Sequence, residues 1–133
     1  MVATATSASP AAPAKSVLIV EDERVSRKAL AMLLSSCGFR TAAVASAEEA
    51  IGMLQNDRHP AIAVIDLDLP GMSGLDLIRR IIKLDPAIYP VLVTGADCDR
   101  LDLVLRDQNV TCLRKPVDFH RLLSLLNQPQ THN

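Results

Sequence analysis

The sequence predicts one doubly wound α/β domain, a five-stranded parallel sheet with five helices packed against its two faces. Two observations lead there. Short apolar runs alternate with segments whose apolar residues recur at helical spacing, and the connections between them are short. Four of the five strand segments, the first, third, fourth and fifth, are apolar throughout, as strands covered on both faces are.

The elements follow in order. Val17-Leu18-Ile19-Val20 is a β-rich run that ends in Glu21-Asp22, as a buried strand ends at a polar edge. Over 24–37 the residues Val25, Ala29, Leu30, Leu33 and Leu34 fall at helical spacing, and Gly38 supplies the stop. A weaker strand spans 39–44. Ser46 with Glu49 forms a capping box that opens a helix to about residue 55. The rhythm repeats with a strand over 61–65 ending at Asp66, a Pro/Gly-punctuated loop over 67–74, and a helix over 75–84 closed by Asp85-Pro86. A strand over 90–93 ends at Thr94-Gly95, and a helix is expected over 101–106, with Asp97, Asp99 and Asp102 blurring its start. The last strand, 110–113, runs to Lys115-Pro116, and Asp118 caps a final helix carrying Leu122, Leu123, Leu125 and Leu126. Residues 1–15, rich in Ala, Ser, Thr and Pro, read as a disordered leader, 16–127 as the domain, and 128–133 as a polar tail.

Composition narrows the function. At 133 residues, 49% apolar and 22% charged, the chain supports one domain with a core of its own. A net charge of −1, two Phe, one Tyr and no Trp leave neither a basic field nor a stacking platform for nucleic acid. No apolar run approaches the roughly 20 residues of a membrane-spanning helix. Cys37, Cys98 and Cys112 are odd in number and lack a C-x-x-C pair, which predicts free thiols in a reducing cytoplasm rather than a disulfide or zinc framework. Met32, Met53 and Met72 read as packing residues, and His59, His120 and His132 as isolated.

Ligands of an open α/β sheet bind at the C-terminal strand edge. Glu21, Asp22, Asp66, Thr94 and Lys115 all sit just past a strand at that edge. Two like charges about 4 Å apart repel by about 4 kcal/mol at an effective dielectric near 20, so three converging carboxylates take up protons or a cation. Carboxylate oxygens without His or Cys suit Mg²⁺, Mn²⁺ or Ca²⁺, and an Mg²⁺ that shares phosphate oxygens fits best. A carboxylate such as Asp66 can attack phosphorus to form an aspartyl phosphate, with Lys115 and the Thr94 hydroxyl offsetting charge on the phosphoryl oxygens.

These residues resemble the response-regulator receiver domains of two-component signalling, in particular the stand-alone, single-domain type. The likeness rests on Val17-Leu18-Ile19-Val20-Glu21-Asp22-Glu23, on the run from Ile65-Asp66 through Leu67-Asp68-Leu69-Pro70 to Gly71-Met72-Ser73-Gly74, on Thr94-Gly95 and on Lys115-Pro116. It implies a flavodoxin-like fold with Asp66 as phosphoacceptor. Asp22 would be a direct metal ligand, Glu21 would act through water, and the backbone carbonyl of Asp68 would complete the protein's share of the sphere. The metal implied is Mg²⁺, with Mn²⁺ as the alternative. Thr94 resembles the switch hydroxyl, Lys115 the lysine that pairs with the phosphoryl group, and Pro116 a proline after a cis bond. The implied donor is a sensor histidine kinase or a histidine phosphotransfer protein, and the implied output is an unnamed protein target in the cytoplasm. No direct nucleic-acid contact, membrane insertion or turnover of an external substrate is expected. Output in this family runs through the fourth helix, fifth strand and fifth helix, where Arg100, Arg106, Arg114 and Arg121 would lie.

Departures from the family pattern are specific. The usual aromatic switch residue, three positions before the lysine, is here Cys112; Glu21 replaces the commoner Asp, and Asp68 adds a carboxylate beside the acceptor. Two rival readings remain. One is a phosphohydrolase of the haloacid-dehalogenase type, whose Asp-x-Asp motif Asp66-Leu67-Asp68 satisfies, although that family carries it on the first strand. The other is a receiver used only for docking and never phosphorylated.

Overall fold

The computed structural model describes residues 15–56, 59–96, 98 and 110–128. Five strands, β1 Ser16–Val20, β2 Arg40–Val44, β3 Ile62–Asp66, β4 Tyr89–Thr94 and β5 Thr111–Arg114, form one sheet in the order β2-β1-β3-β4-β5, with every pair parallel. Four helices are described: α1 Arg24–Ser36, α2 Ala47–Leu54, α3 Gly74–Leu84 and α4 Phe119–Asn127. The helix expected over 101–106 lies outside the described residues, as do Asp97, Asp99, Arg100, Asp102, Arg106, residues 1–14 and residues 129–133.

Alternation along the strands divides the core in two. From β1, Leu18 and Val20 join Ala63, Ile65 and Leu92 beneath Ala50 and Leu54 of α2 and Leu77, Ile78 and Ile81 of α3. Val17 and Ile19 point the other way, with Val64, Val91 and Val93, toward Leu34 of α1 and Leu122 and Leu126 of α4. Both faces of β1, β3 and β4 are therefore buried, which is why these strands read as continuous apolar runs. β5 is different. It lies at the sheet edge and only Leu113 is buried, so the expectation of a strand covered on both faces fails there.

Local signals hold at the caps. The Ser46 hydroxyl accepts from Glu49 N at 3.2 Å, while the Glu49 carboxylate reaches back to Ala45 N at 3.1 Å. Gly38, at φ +95°, ends α1 in the left-handed conformation, where Phe39 N donates to Leu34 O. Glu23 caps the start of α1 by accepting from Ser26 N at 2.8 Å and Val25 N at 3.2 Å. Lys15, expected in the leader, belongs to the fold: its carbonyl accepts from Arg40 N, and its ammonium donates to Leu126 O at 2.8 Å and Gln128 O at 3.1 Å.

Three side-chain expectations are corrected. Met32 and Met53 are exposed rather than packed, and on α1 Val25 and Leu33 also face outward. Helical spacing alone does not say which apolar stripe meets the sheet, and here Leu34 does. His59 is not isolated, since Nδ1 meets Asp85 Oδ2 and Nε2 meets Leu54 O, both at 2.7 Å, tying the ends of α2 and α3 together.

Candidate functional site

The strand order reverses direction beside β1, and β1 and β3 are neighbours there, so their C-terminal ends open onto one crevice. Glu21 and Asp22 follow β1 directly and Asp66 ends β3. Their carboxylate oxygens lie within 4.8 Å of one another, with Glu21 and Asp66 buried and Asp22 exposed. From across β4, Lys115 reaches in: its Nζ stands 3.0 Å from Asp66 Oδ2 and 3.5 Å from Glu21 Oε1. One ammonium thus faces three carboxylates, leaving the cluster net negative and open to a cation on its Asp22 side.

Backbone groups hold these side chains in place. Asp68 N donates to Asp66 Oδ1 and Glu23 N to Glu21 Oε2, each at 3.0 Å. Arg27 Nη1 donates to the carbonyls of Glu21 at 2.9 Å and Asp22 at 3.2 Å, bracing the turn that carries both acids. Thr94 is fully buried, and its Oγ1 accepts from Ala96 N at 3.0 Å. Its carbonyl accepts from Lys115 N at 2.7 Å, which joins the ends of β4 and β5. The Lys115–Pro116 bond is cis.

Burial and neighbours set the charges. Burial pushes the Glu21 carboxyl above the ordinary glutamate value; Asp66 adds to the rise, while the Glu23 N–H and Lys115 oppose it. For Lys115, burial pulls the ammonium down, but the hydrogen bond and charge of Asp66, with those of Glu21, outweigh it and leave the group above its ordinary value. The lysine therefore stays protonated, as a fixed counter-charge needs.

Gly74 carries no functional group, yet the site depends on it. A Cβ there would lie 2.4 Å from Asp66 O and 2.8 Å from Leu67 Cα, both backbone atoms, so only glycine lets α3 start against the end of β3. Arg27 is likewise not legible from sequence, because an arginine inside a helix carries no signal of what its tip will reach. Ser73 caps α3 by accepting from Asp76 N at 3.2 Å, and Gly71 takes φ +77° in the loop before it.

The thiol expectation is overturned. Cys98 and Cys112 are bonded as a disulfide with Cα atoms 5.9 Å apart, and Cys37 is free and exposed. The two cysteines are 14 positions apart in sequence, and no sequence spacing announces the pair. It is made by register, because β5 runs beside β4 with Cys112 opposite Leu92, close to the segment that follows Thr94.

A family model for the response regulator receiver domain matches residues 17–127, and the chain belongs to that family of phosphorylation-dependent signalling domains. Among relatives, the two-component response regulator PhoP of Pseudomonas aeruginosa is 39% identical over 113 residues, covering 84% of this chain and 49% of the relative. A response regulator receiver protein from Pseudomonas putida matches with TM-score 0.78 at 36% identity, over 87% of this chain and 98% of that one. The response regulator TrrA from Thermotoga maritima, solved in complex with Mg(2+)-BeF, matches with TM-score 0.73 at 25% identity, over 84% and 96%. The chain spans less than half the length of the curated relatives it matches. Among the described residues, no helix is long and apolar enough to cross a membrane.

Proposed function

We propose that Asp66 takes a phosphoryl group from the phosphohistidine of a sensor histidine kinase or histidine phosphotransfer protein, and that the residue pair Thr94 and Lys115 converts the new charge into a change at the output face. The observation that carries this is the juxtaposition of Asp66 with Lys115 at 3.0 Å inside a cluster of three carboxylates. A carboxylate oxygen of Asp66 attacks phosphorus, the P–N bond to the donor imidazole breaks, and an aspartyl phosphate forms. Lys115 then pairs with a phosphoryl oxygen. Thr94, whose Oγ1 already accepts from Ala96 N, has its hydroxyl hydrogen left to donate to another.

The hard carboxylate oxygens of Glu21, Asp22 and Asp66 fit Mg²⁺, and the family resemblance adds the Asp68 backbone carbonyl and a water-mediated contact for Glu21. Held by Asp22 and Asp66, the ion would supply charge neutralisation for the phosphoryl and carboxylate oxygens. Mn²⁺ is the alternative. The relative solved with Mg(2+)-BeF supports the reading, because its fold is shared.

Residues 16–127 are the switch, cytoplasmic in this reading, and its chemistry is one transfer followed by slow hydrolysis rather than turnover of an external substrate. Against a haloacid-dehalogenase reading, Asp66 ends the third strand of the chain rather than the first, with Leu67 and Asp68 just past it.

Incubation with acetyl phosphate and Mg²⁺, read by intact mass, tests the assignment. One added phosphoryl group is expected, with none on Asp66→Asn, and chelation or Asp22→Ala is expected to slow labelling by orders of magnitude. Labelling of Asp66→Asn at the wild-type level removes the acceptor.

A further inference from the structure

The Cys98–Cys112 pair lies outside the acid cluster but beside both responding residues. Cys98 is four residues after Thr94, and Cys112 three before Lys115. Each cysteine is half-buried, so small reagents can reach the bond, and Cys37 is the free thiol elsewhere, at the end of α1. The bond joins the segment following β4 to β5, across the same boundary that Lys115 N to Thr94 O already bridges at the site. Cys112 also packs against the core cluster that contains Leu92, so its side chain is on the sheet face of α2 and α3. A movement of the Thr94 backbone toward a phosphoryl group would be opposed by a bond that ties Cys98, four residues on, to β5.

We propose that Cys98 and Cys112 form a reversible redox modification site: oxidised, the bond clamps the segment after Thr94 to β5 and suppresses the phosphoryl response; reduced, it frees that response. The coupling rests on the assignment of Asp66, Thr94 and Lys115 above. The oxidant class is a low-molecular-weight disulfide. One cysteine thiolate attacks it, forming a mixed disulfide and releasing one small thiol. The second cysteine thiolate then attacks the mixed disulfide at the protein sulfur, closing the Cys98–Cys112 bond and releasing the other small thiol. The protein gives up two electrons and two protons, and the small disulfide is reduced to two thiols. A dithiol reverses the sequence. If the clamp disfavours the phosphorylated arrangement, phosphorylation eases reduction of the bond by the same factor.

The full chain carrying Cys37→Ser is equilibrated with dithiothreitol or with oxidised glutathione, alkylated under native conditions, and weighed. Two alkyl groups are expected after reduction and none after oxidation, without retained glutathione. Thiols that stay open or keep glutathione after oxidation overturn the proposal, and so does a bond that native dithiothreitol does not open. Each form is then given acetyl phosphate and Mg²⁺, with at least tenfold slower labelling expected of the oxidised form. Equal labelling rates overturn the coupling. Cys98→Ser in the same background is expected to label at the reduced rate under both conditions, and retained redox sensitivity there also overturns it. If the reduced chain takes no label at all, the acceptor assignment fails and the coupling with it, while the alkylation result still reports on the disulfide separately.

Discussion

Alanine at Gly74 and at Gly52 should move the stability of this domain in opposite directions. Gly52 lies exposed inside α2, and a Cβ there meets nothing within 4 Å. Replacing it with alanine removes the backbone entropy penalty of glycine in a helix and is expected to stabilise by about 0.5–1 kcal/mol. At Gly74 the same methyl group would stand 2.4 Å from Asp66 O and 2.8 Å from Leu67 Cα. Neither atom is the end of a flexible side chain. Both belong to a stretch fixed by Leu67 N to Val93 O at 2.8 Å and Gly74 N to Leu67 O at 2.9 Å, so β3 or α3 must shift as a unit. Overpacking of this kind costs about 1–3 kcal/mol, and position 74 opens its helix, where alanine recovers little propensity. The two variants should therefore differ by about 1.5–4 kcal/mol, or about 0.8–2 M in urea midpoint at an m-value near 2 kcal/mol per molar. Gly74→Ala should also slow labelling of Asp66, because the displaced backbone carries the acceptor, whereas Gly52→Ala should label at the wild-type rate. A Gly74→Ala midpoint indistinguishable from wild type, with unchanged labelling, would refute the claim that this contact positions the acceptor.

Glu21→Gln, measured with a chelator present, should raise the unfolding midpoint at neutral pH. The folded state holds the Glu21 carboxyl above its ordinary value, so the wild type loses stability as pH rises from the ordinary glutamate range through that raised value; the glutamine gains its advantage above that window and shows none below it. A pH series of urea midpoints checks the sign. Lys115→Met removes the ammonium from between Asp66 and Glu21, and a Mg²⁺ titration should show tighter binding to the more negative cluster, while phosphorylation-induced amide shifts at Thr94 are lost. Leu122→Ala, fully buried where α4 meets the sheet, should destabilise by about 2–5 kcal/mol without changing the order of metal ligands.

What could be read from the sequence and what could not divide along a physical line. Strand and helix segments were legible because periodicity is local: Val17 to Val20 and Ile62 to Ile65 are apolar at every position, and Ser46 with Glu49 carries its cap within one turn. Glu21, Asp22, Asp66, Thr94 and Lys115 were legible as one set because a parallel sheet brings every C-terminal strand end to the same edge, whatever its strand order. The exposed stripe of α1, the half-open face of β5, the reach of Arg27 to two carbonyls and the need for glycine at 74 were not legible. Each depends on which elements become neighbours, and nothing within a few residues of each position encodes that. The clearest case is the cysteine pair. Counting and spacing argue for free thiols, and only the placement of β5 beside β4 brings Cys112 within 5.9 Å, Cα to Cα, of Cys98. A disulfide is set by distance in space, and distance across a sheet is decided by strand order and register, which no single segment of the chain contains.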